Sequence, residues 1–285
     1  MNVALVNTNV MRPPIAPIGL DYVAEALNSA GHRVRILDLC WEDDARAAIT
    51  GFFGSHEVGL VGVSLRNTDD CVFTTRQSFL NEFTDVVAAI RENTDAPVIL
   101  GGVGFSSMPE AVLDLTGADA GIWGDGEFAF TDLADGMDRD EDWASAPGLI
   151  WRSEGSWVRN TPAMRPLSDL PEMRRRWIDN PRYFREGGQA GFETKRGCPA
   201  ACVYCADPVT KGRTARARQP QAVADEIAHL LDQGIDHLHT CDSEFNLPVR
   251  HAGEVCEELV RRGLGGRLRW YAYCAPPPSR RSSPG

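Results

Sequence analysis

The chain has 285 residues, long enough for two domains at the usual ~150 residues each. Its 43% hydrophobic and 24% charged residues describe an ordinary globular composition, and it lacks the ~18-residue apolar run that a transmembrane helix needs. A net charge of −11 argues against nucleic acid as the main partner, and the opening Asn2-Val3-Ala4-Leu5-Val6 carries neither the basic region nor the cleavage site of a secretory signal. The expectation is a cytoplasmic protein with no membrane and no nucleic-acid partner. Of 29 basic residues only Lys195 and Lys211 are lysine, a bias that points to a GC-rich coding sequence. The eight cysteines of a chain without an export signal read as free thiols or metal ligands rather than a disulfide framework.

The first half alternates strand and helix. Val3–Asn7 is an apolar run of strand length, and Ile18–Ala30 follows with Leu20, Val23, Ala24 and Leu27 at helical spacing. Gly31 then stops the helix. Further strands are expected at Val34–Leu39, Val58–Ser64, Pro97–Leu100 and Ala120–Trp123, with helices at Asp44–Phe53, Phe79–Glu92, Pro109–Leu115 and Glu127–Met137. Such alternation predicts βαβ units and a parallel sheet, hence an α/β fold that binds ligands at the carboxyl ends of its strands. Those ends are Asn7-Thr8-Asn9, Ser64-Leu65-Arg66-Asn67, Gly101-Gly102-Val103-Gly104 and Gly124-Asp125-Gly126-Glu127. Most are rich in glycine or small polar residues, which suits close backbone approach to a flat or phosphate-bearing ligand.

A dinucleotide would ask for G-x-G-x-x-G after the first strand, and Asn-Thr-Asn stands there instead. Val61-Gly62-Val63-Ser64-Leu65 and Gly101-Gly102-Val103-Gly104-Phe105 resemble cobalamin-binding Rossmann-like domains. The resemblance implies that Asn7, Thr8, Ser64, Leu65, Arg66, Gly101, Gly102, Gly124 and Glu127 contact cobalamin, with its nucleotide tail beside the serine-bearing strand end and the double glycine. D-x-H-x-x-G, whose histidine ligates cobalt in many such domains, does not occur, so no protein imidazole is expected on cobalt. Arg66 is either a surface residue or a cation near the lower cobalt face. His32 and His56 precede strands and read as surface residues, and Cys40, Cys71, Cys241, Cys256 and Cys274 as small buried hydrophobes.

The chain changes character near Ala146. GLIWR and WVRNTP suggest a small hairpin, and Ser168–Arg182 is polar and proline-punctuated, with Arg174-Arg175-Arg176 read as a solvated face. The division expected is a Rossmann-like domain over 1–145, a linker over 146–190 and a second unit over 191–285. That unit opens with Cys198, Cys202 and Cys205, spaced C-x3-C-x2-C with Tyr204 before the third. Three thiolates so close can cap three irons of a [4Fe–4S] cube and leave the fourth open. Structural zinc asks for four ligands, usually as two spaced pairs.

Arg196-Gly-Cys-Pro-Ala-Ala-Cys-Val-Tyr-Cys205 resembles the signature of radical S-adenosylmethionine (SAM) enzymes. The resemblance implies that the open iron chelates SAM and that one electron, from a donor such as flavodoxin or ferredoxin, cleaves it to a 5′-deoxyadenosyl radical. Gly191–Thr194 would be the first strand of a (β/α) barrel, whose chemistry sits at the carboxyl ends of its strands. Gln221–Gln233 reads as an amphipathic helix and His237–Cys241 as a second strand, with His237 and His239 on one face. Asp242-Ser-Glu244-Phe-Asn246 resembles the segment after that strand in cobalamin-dependent radical SAM enzymes. Asp242, Glu244 and Asn246 either contact SAM, with Tyr204, or cap the helix over Pro248–Arg262. Leu268–Tyr273 is a third strand, and the tail 276–285 is expected to be disordered.

The combination resembles class B radical SAM methyltransferases, a Rossmann-like cobalamin domain followed by the first part of a (β/α) partial barrel. It implies methyl transfer from SAM through methylcobalamin to a carbon or phosphinate phosphorus of a natural-product intermediate, as in antibiotic biosynthesis. A radical SAM cyclase with the same domains, or an inactive cofactor-binding remnant, are the alternatives. Three βα units are few for such a barrel, so a C-terminal truncation is expected. No catalytic side chain is assigned.

Overall fold

A computed structural model describes residues 1–276, so the tail expected to be disordered lies, apart from Pro276, outside the described residues. The chain runs through β1 (Asn2–Asn7), α1 (Ile18–Ser29), β2 (Arg33–Asp38), α2 (Ala45–Ser55), β3 (Leu60–Ser64), α3 (Leu80–Asn93), β4 (Val98–Gly101), α4 (Val103–Ser107), α5 (Pro109–Thr116), β5 (Ala120–Ile122) and α6 (Gly126–Asp138). It continues with β6 (Leu149–Ser153), β7 (Ser156–Arg159), α7 (Asn180–Gly187), β8 (Ala190–Phe192), β9 (Lys195–Arg196), α8 (Asp207–Thr210), β10 (Arg216–Ala217), α9 (Pro220–Asp232), β11 (His237–Thr240), α10 (Val249–Arg261) and β12 (Arg269–Tyr271).

The first seven strands form one sheet in the order β2-β1-β3-β4-β5-β6-β7, parallel through β5 and antiparallel beyond it. The hairpin expected in the linker therefore extends the first sheet, because Ile122 pairs with Leu149 and buried Leu149 and Ile150 share the sheet's apolar interior. One face is covered by α1 and α6 through Leu20, Ala24, Leu27, Phe130 and Leu133. The other is covered by α2, α3 and α5 through Ile49, Phe53, Phe83, Val87 and Val112. Register puts Asp38, Asn7, Ser64 and Gly101 side by side, so the strands end in one row. After β4 the chain makes no open loop. It turns at Gly102 (φ +99°) straight into α4.

The second sheet has three parallel strands, β12-β11-β8, covered by α9 and α10. Val223, Ile227, Leu230 and Leu231 of α9 meet Val255 and Leu259 of α10 in its core. Trp270 is half-buried, stacked on Phe192 at 5.4 Å, whereas Tyr271 and Tyr273 are exposed. The short strands β9 and β10 pair antiparallel, Arg196 opposite Arg216, and close the base of the loop that carries Cys198, Cys202 and Cys205. Among the described residues no helix is long and apolar enough to cross a membrane.

One histidine and one arginine expectation fail for one reason, a carboxylate partner distant in sequence. His32 is buried between the N-terminal ammonium and Asp135, at 3.1 Å from each. Arg174 and Arg176 are half-exposed as expected, but the Arg175 side chain between them is 1% exposed. Of the scattered cysteines Cys40 is buried, Cys241 is intermediate, and Cys71, Cys256 and Cys274 are exposed.

Candidate functional site

At the carboxyl ends of β3, β4 and β5 a cavity of about 220 Å³ enters the α1 and α6 face of the sheet. Leu5, Ile99, Ile122 and Phe130 line its depth, and Ser64, Gly101, Gly102, Gly124, Gly126 and Glu127 its mouth. Glycine is required at two of these places. A Cβ on Gly102 would come 2.5 Å from the Leu65 carbonyl oxygen, and a Cβ on Gly62 2.8 Å from Leu5 Cδ2. The result is a narrow, mostly apolar slot edged by backbone, the shape that admits a flat heteroaromatic ring.

Arg66 lies at the slot and at a wider crevice of about 570 Å³ on the opposite face, lined also by Thr8, Leu65 and the acidic Glu42, Asp43 and Glu82. Its guanidinium donates to Asn67 Oδ1 at 3.3 Å, and burial pulls its pKa below the ordinary arginine range. Arg66 is partly buried. Asn7 lines neither cavity: its Nδ2 donates to Asp38 Oδ1 at 2.7 Å and to the Tyr183 hydroxyl at 3.0 Å, so it ties β1 to β2 and α7.

The slot's remaining wall comes from the second unit: Glu193, Arg196, Thr210 and Lys211. Arg196 is the centre of that wall. It donates to both carboxylate oxygens of Glu127, at 2.9 and 2.6 Å, and to Glu193 at 2.8 Å, and sits 3.4 Å from Asp125. Burial alone would raise the Asp125 carboxyl, but Arg196 and Arg216 together hold it below the usual carboxylate range. Glu193 goes the other way, because burial outweighs the pull of Arg196 and Lys211. A second buried cluster stands beside this one. Arg175 bridges Asp21 of α1 (2.7 Å) and Glu226 of α9 (2.8 Å), while Arg218 and the Tyr22 hydroxyl also reach Glu226. Sequence reasoning missed both clusters. Asp21, Glu127 and Glu226 lie on helices, and their pairs with Arg196 and Arg175 span more than 50 residues and leave no local pattern.

Cys198 is buried, and Cys202, Tyr204 and Cys205 are exposed on a loop without regular structure over 197–206. Among the described residues no three Cys, His, Asp or Glu side chains are gathered as a metal site. The loop is anchored where Cys198 N–H donates to the Gly212 carbonyl at 3.0 Å and where Gly197 (φ +90°) passes the Thr214 carbonyl too closely for any Cβ.

After β11 the three predicted residues divide. Asp242 is saturated by donors from its own fold, Thr194 N–H (2.8 Å), the Thr194 hydroxyl (2.5 Å) and Lys195 Nζ (2.8 Å), so it ties the start of β9 to the end of β11 and has no oxygen left for SAM. Asn246 is likewise taken, exchanging two 2.8 Å hydrogen bonds with the Ala275 backbone. None of the three caps α10, whose N-cap is Pro248. Glu244 remains, with a buried Oε2 that has no partner, as does Nε2 of His239. A carboxylate oxygen in that state fits an ammonium or ribose hydroxyl donor. Cys241 lies between, its thiol pushed up to about 12 by burial and by Glu193.

Residues 5–134 match the family model of the B12 binding domain. The chain is 35% identical to the tryptophan 2-C-methyltransferase of Streptomyces laurentii, over 97% of this chain and 56% of that protein. It is 25% identical to the cytidylyl-2-hydroxyethylphosphonate methyltransferase of Streptomyces wedmorensis, over 87% of this chain and 54% of that one. Its fold superposes with a TM-score of 0.88 on the radical S-adenosylmethionine methyltransferase TsrM of Kitasatospora setae, solved with cobalamin and a [4Fe–4S] cluster, at 36% identity over 96% of this chain and 54% of that chain. The chain thus spans about half the length of the curated relatives it matches. It carries a B12-binding domain and is a homologue of the cobalamin-dependent radical SAM methyltransferases.

Proposed function

We propose that this chain forms the cofactor-holding part of a cobalamin-dependent radical SAM methyltransferase that acts on a small molecule, an aromatic amino acid or a phosphonate-type intermediate by analogy with its relatives. One observation carries the reading. The glycine-edged slot of the first sheet is walled by Arg196, two residues before Cys198, so the unit that carries the cysteine loop also closes the slot. Cobalamin would take the slot with its nucleotide tail, held by Ser64, Gly101, Gly102 and Gly124. Cys198, Cys202 and Cys205 would hold the cluster, and Glu244 would accept a hydrogen bond from SAM. When bound, these groups supply a transferable methyl and a one-electron reductant.

The residues of the chain set the surroundings. Arg66 would offer a cation to cobalamin held in the slot, and among the described residues no histidine lines it. Lys211 adds a second cation at the mouth. We place the first unit at residues 1–145 with the hairpin that extends its sheet, and the second from 191 onward. The test is anaerobic loading of the chain with iron, sulfide and cob(II)alamin, followed by methyl transfer from labelled SAM. About four irons per chain and one cobalamin without histidine nitrogen coupling in its EPR spectrum are expected. Label reaching cobalt and then a small acceptor supports methyl transfer. Turnover of SAM with no label transferred favours the cyclase alternative. A chain that takes up neither group refutes the proposal.

A further inference from the structure

We infer that Arg196 is a positioning residue that keeps the cysteine loop in register with the cobalamin slot by gripping Glu127 of the first sheet's α6. The inference rests on the two-cofactor reading above and goes beyond it, because neither the cysteine pattern nor the slot requires such a link. Methyl transfer between two bound groups asks for reacting atoms about 3–3.5 Å apart, and a misplacement of about 1 Å costs on the order of a hundredfold in rate. The two groups here would be carried by different sheets, so something has to set the distance between them.

Arg196 is suited to that task. Its backbone belongs to β9, it is joined to Cys198 through Gly197, and its side chain is 8% exposed. Glu127 is the second residue of α6, directly after the slot-lining Gly124, Asp125 and Gly126, and its side chain is 3% exposed. The planar guanidinium meets both oxygens of one carboxylate while its Nε donates to Glu193, so the ring of contacts fixes orientation as well as distance. In a buried setting the loop cannot slide without leaving charges unpaired, which is strongly destabilising. The nearby cluster of Arg175, Asp21 and Glu226 joins the units too, but it touches neither the slot nor the cysteine loop. It holds the units together, whereas Arg196 sets the register.

The test uses the full chain loaded with cluster and cob(II)alamin, and measures how much the Co(II) spin speeds relaxation of the reduced cluster's EPR signal. That enhancement falls steeply with distance and does not depend on turnover. The wild type is expected to show a single enhanced rate. Glu127→Gln and Arg196→Lys should keep their iron and cobalamin content and lose the enhancement at least threefold or spread it over a range. Should either variant melt too low to load, Asp125→Asn loosens the fork at its 3.4 Å contact and should show the same effect at smaller amplitude. Unchanged enhancement in fully loaded variants overturns the inference, as does a wild type that loads both groups without any enhancement. Variants that lose iron or cobalamin at normal melting temperature make the pair a binding element, which also overturns it. A wild type that loads neither group instead refutes the proposed function.

Discussion

The two halves of the candidate site are built from different material. On the first sheet the slot is backbone: strand ends in register, glycines where a Cβ would collide, and apolar side chains in the depth. On the second unit the predicted ligands are side chains of a loop, with Tyr204 87% exposed. A surface of amides and glycines has its shape as soon as the sheet forms. Three thiolates take a common geometry from the ion they share, because ligand deprotonation and metal binding are coupled. The slot is therefore fixed by the polypeptide itself, whereas the cysteine loop would take its geometry from the group it holds.

The strongest way to break that contrast is to remove the thiols. Changing Cys198, Cys202 and Cys205 together to Ala is expected to abolish iron uptake, measured per chain after anaerobic reconstitution, while cobalamin binding stays within twofold of wild type. Loss of both groups would show that the slot depends on the loop. Changing Cys40 or Cys71 to Ala should leave iron content alone. The next largest effect concerns what joins the halves. Arg175→Met leaves Asp21 and Glu226 buried without their shared cation and should cost about 3–5 kcal/mol in urea unfolding. Arg174→Ala, one residue away on the surface, should stay within about 0.5 kcal/mol. Equal effects from the two would mean that the buried cluster does not hold the units.

The pattern of legibility follows the same division. Strand and helix alternation in the first half was readable because Val3–Asn7, Val58–Ser64 and the α1 stripe of Leu20, Ala24 and Leu27 have periods set by one sheet face or one helix flank. The cysteine spacing was readable because three ligands of one cluster sit in one short loop. Long-range polar pairing was not. Nothing near Asp242 in sequence announces that Thr194 and Lys195 will saturate it, and nothing near Arg175 announces Glu226. The same limit hid His32 beside Asp135. A charged residue's role depends on partners contributed by other elements, and a single sequence carries no record of them. The short α4 was not legible either, because it begins at once after β4 only through the positive φ of Gly102.

The smallest effects sharpen the backbone side of the contrast by separating the slot's shape from the fold's stability. Gly101 and Gly102 are neighbours in sequence and both line the slot, yet they answer to different constraints. A Cβ at Gly101 would meet nothing nearer than the Ile122 carbonyl at 3.9 Å, ordinary van der Waals contact. At Gly102 it would fall 2.5 Å from the Leu65 carbonyl, in a backbone conformation that L side chains rarely adopt. Gly102→Ala should therefore destabilise the first sheet by about 1–3 kcal/mol, since the strand-end turn must shift or stay strained. Cobalamin affinity should fall with it. Gly101→Ala should leave the unfolding midpoint in place and still weaken cobalamin binding, because the added methyl occupies the mouth of the slot rather than the interior of the protein. If Gly101→Ala binds cobalamin as the wild type does, the ligand does not press against that strand end, and the slot's glycines serve only the turn into α4.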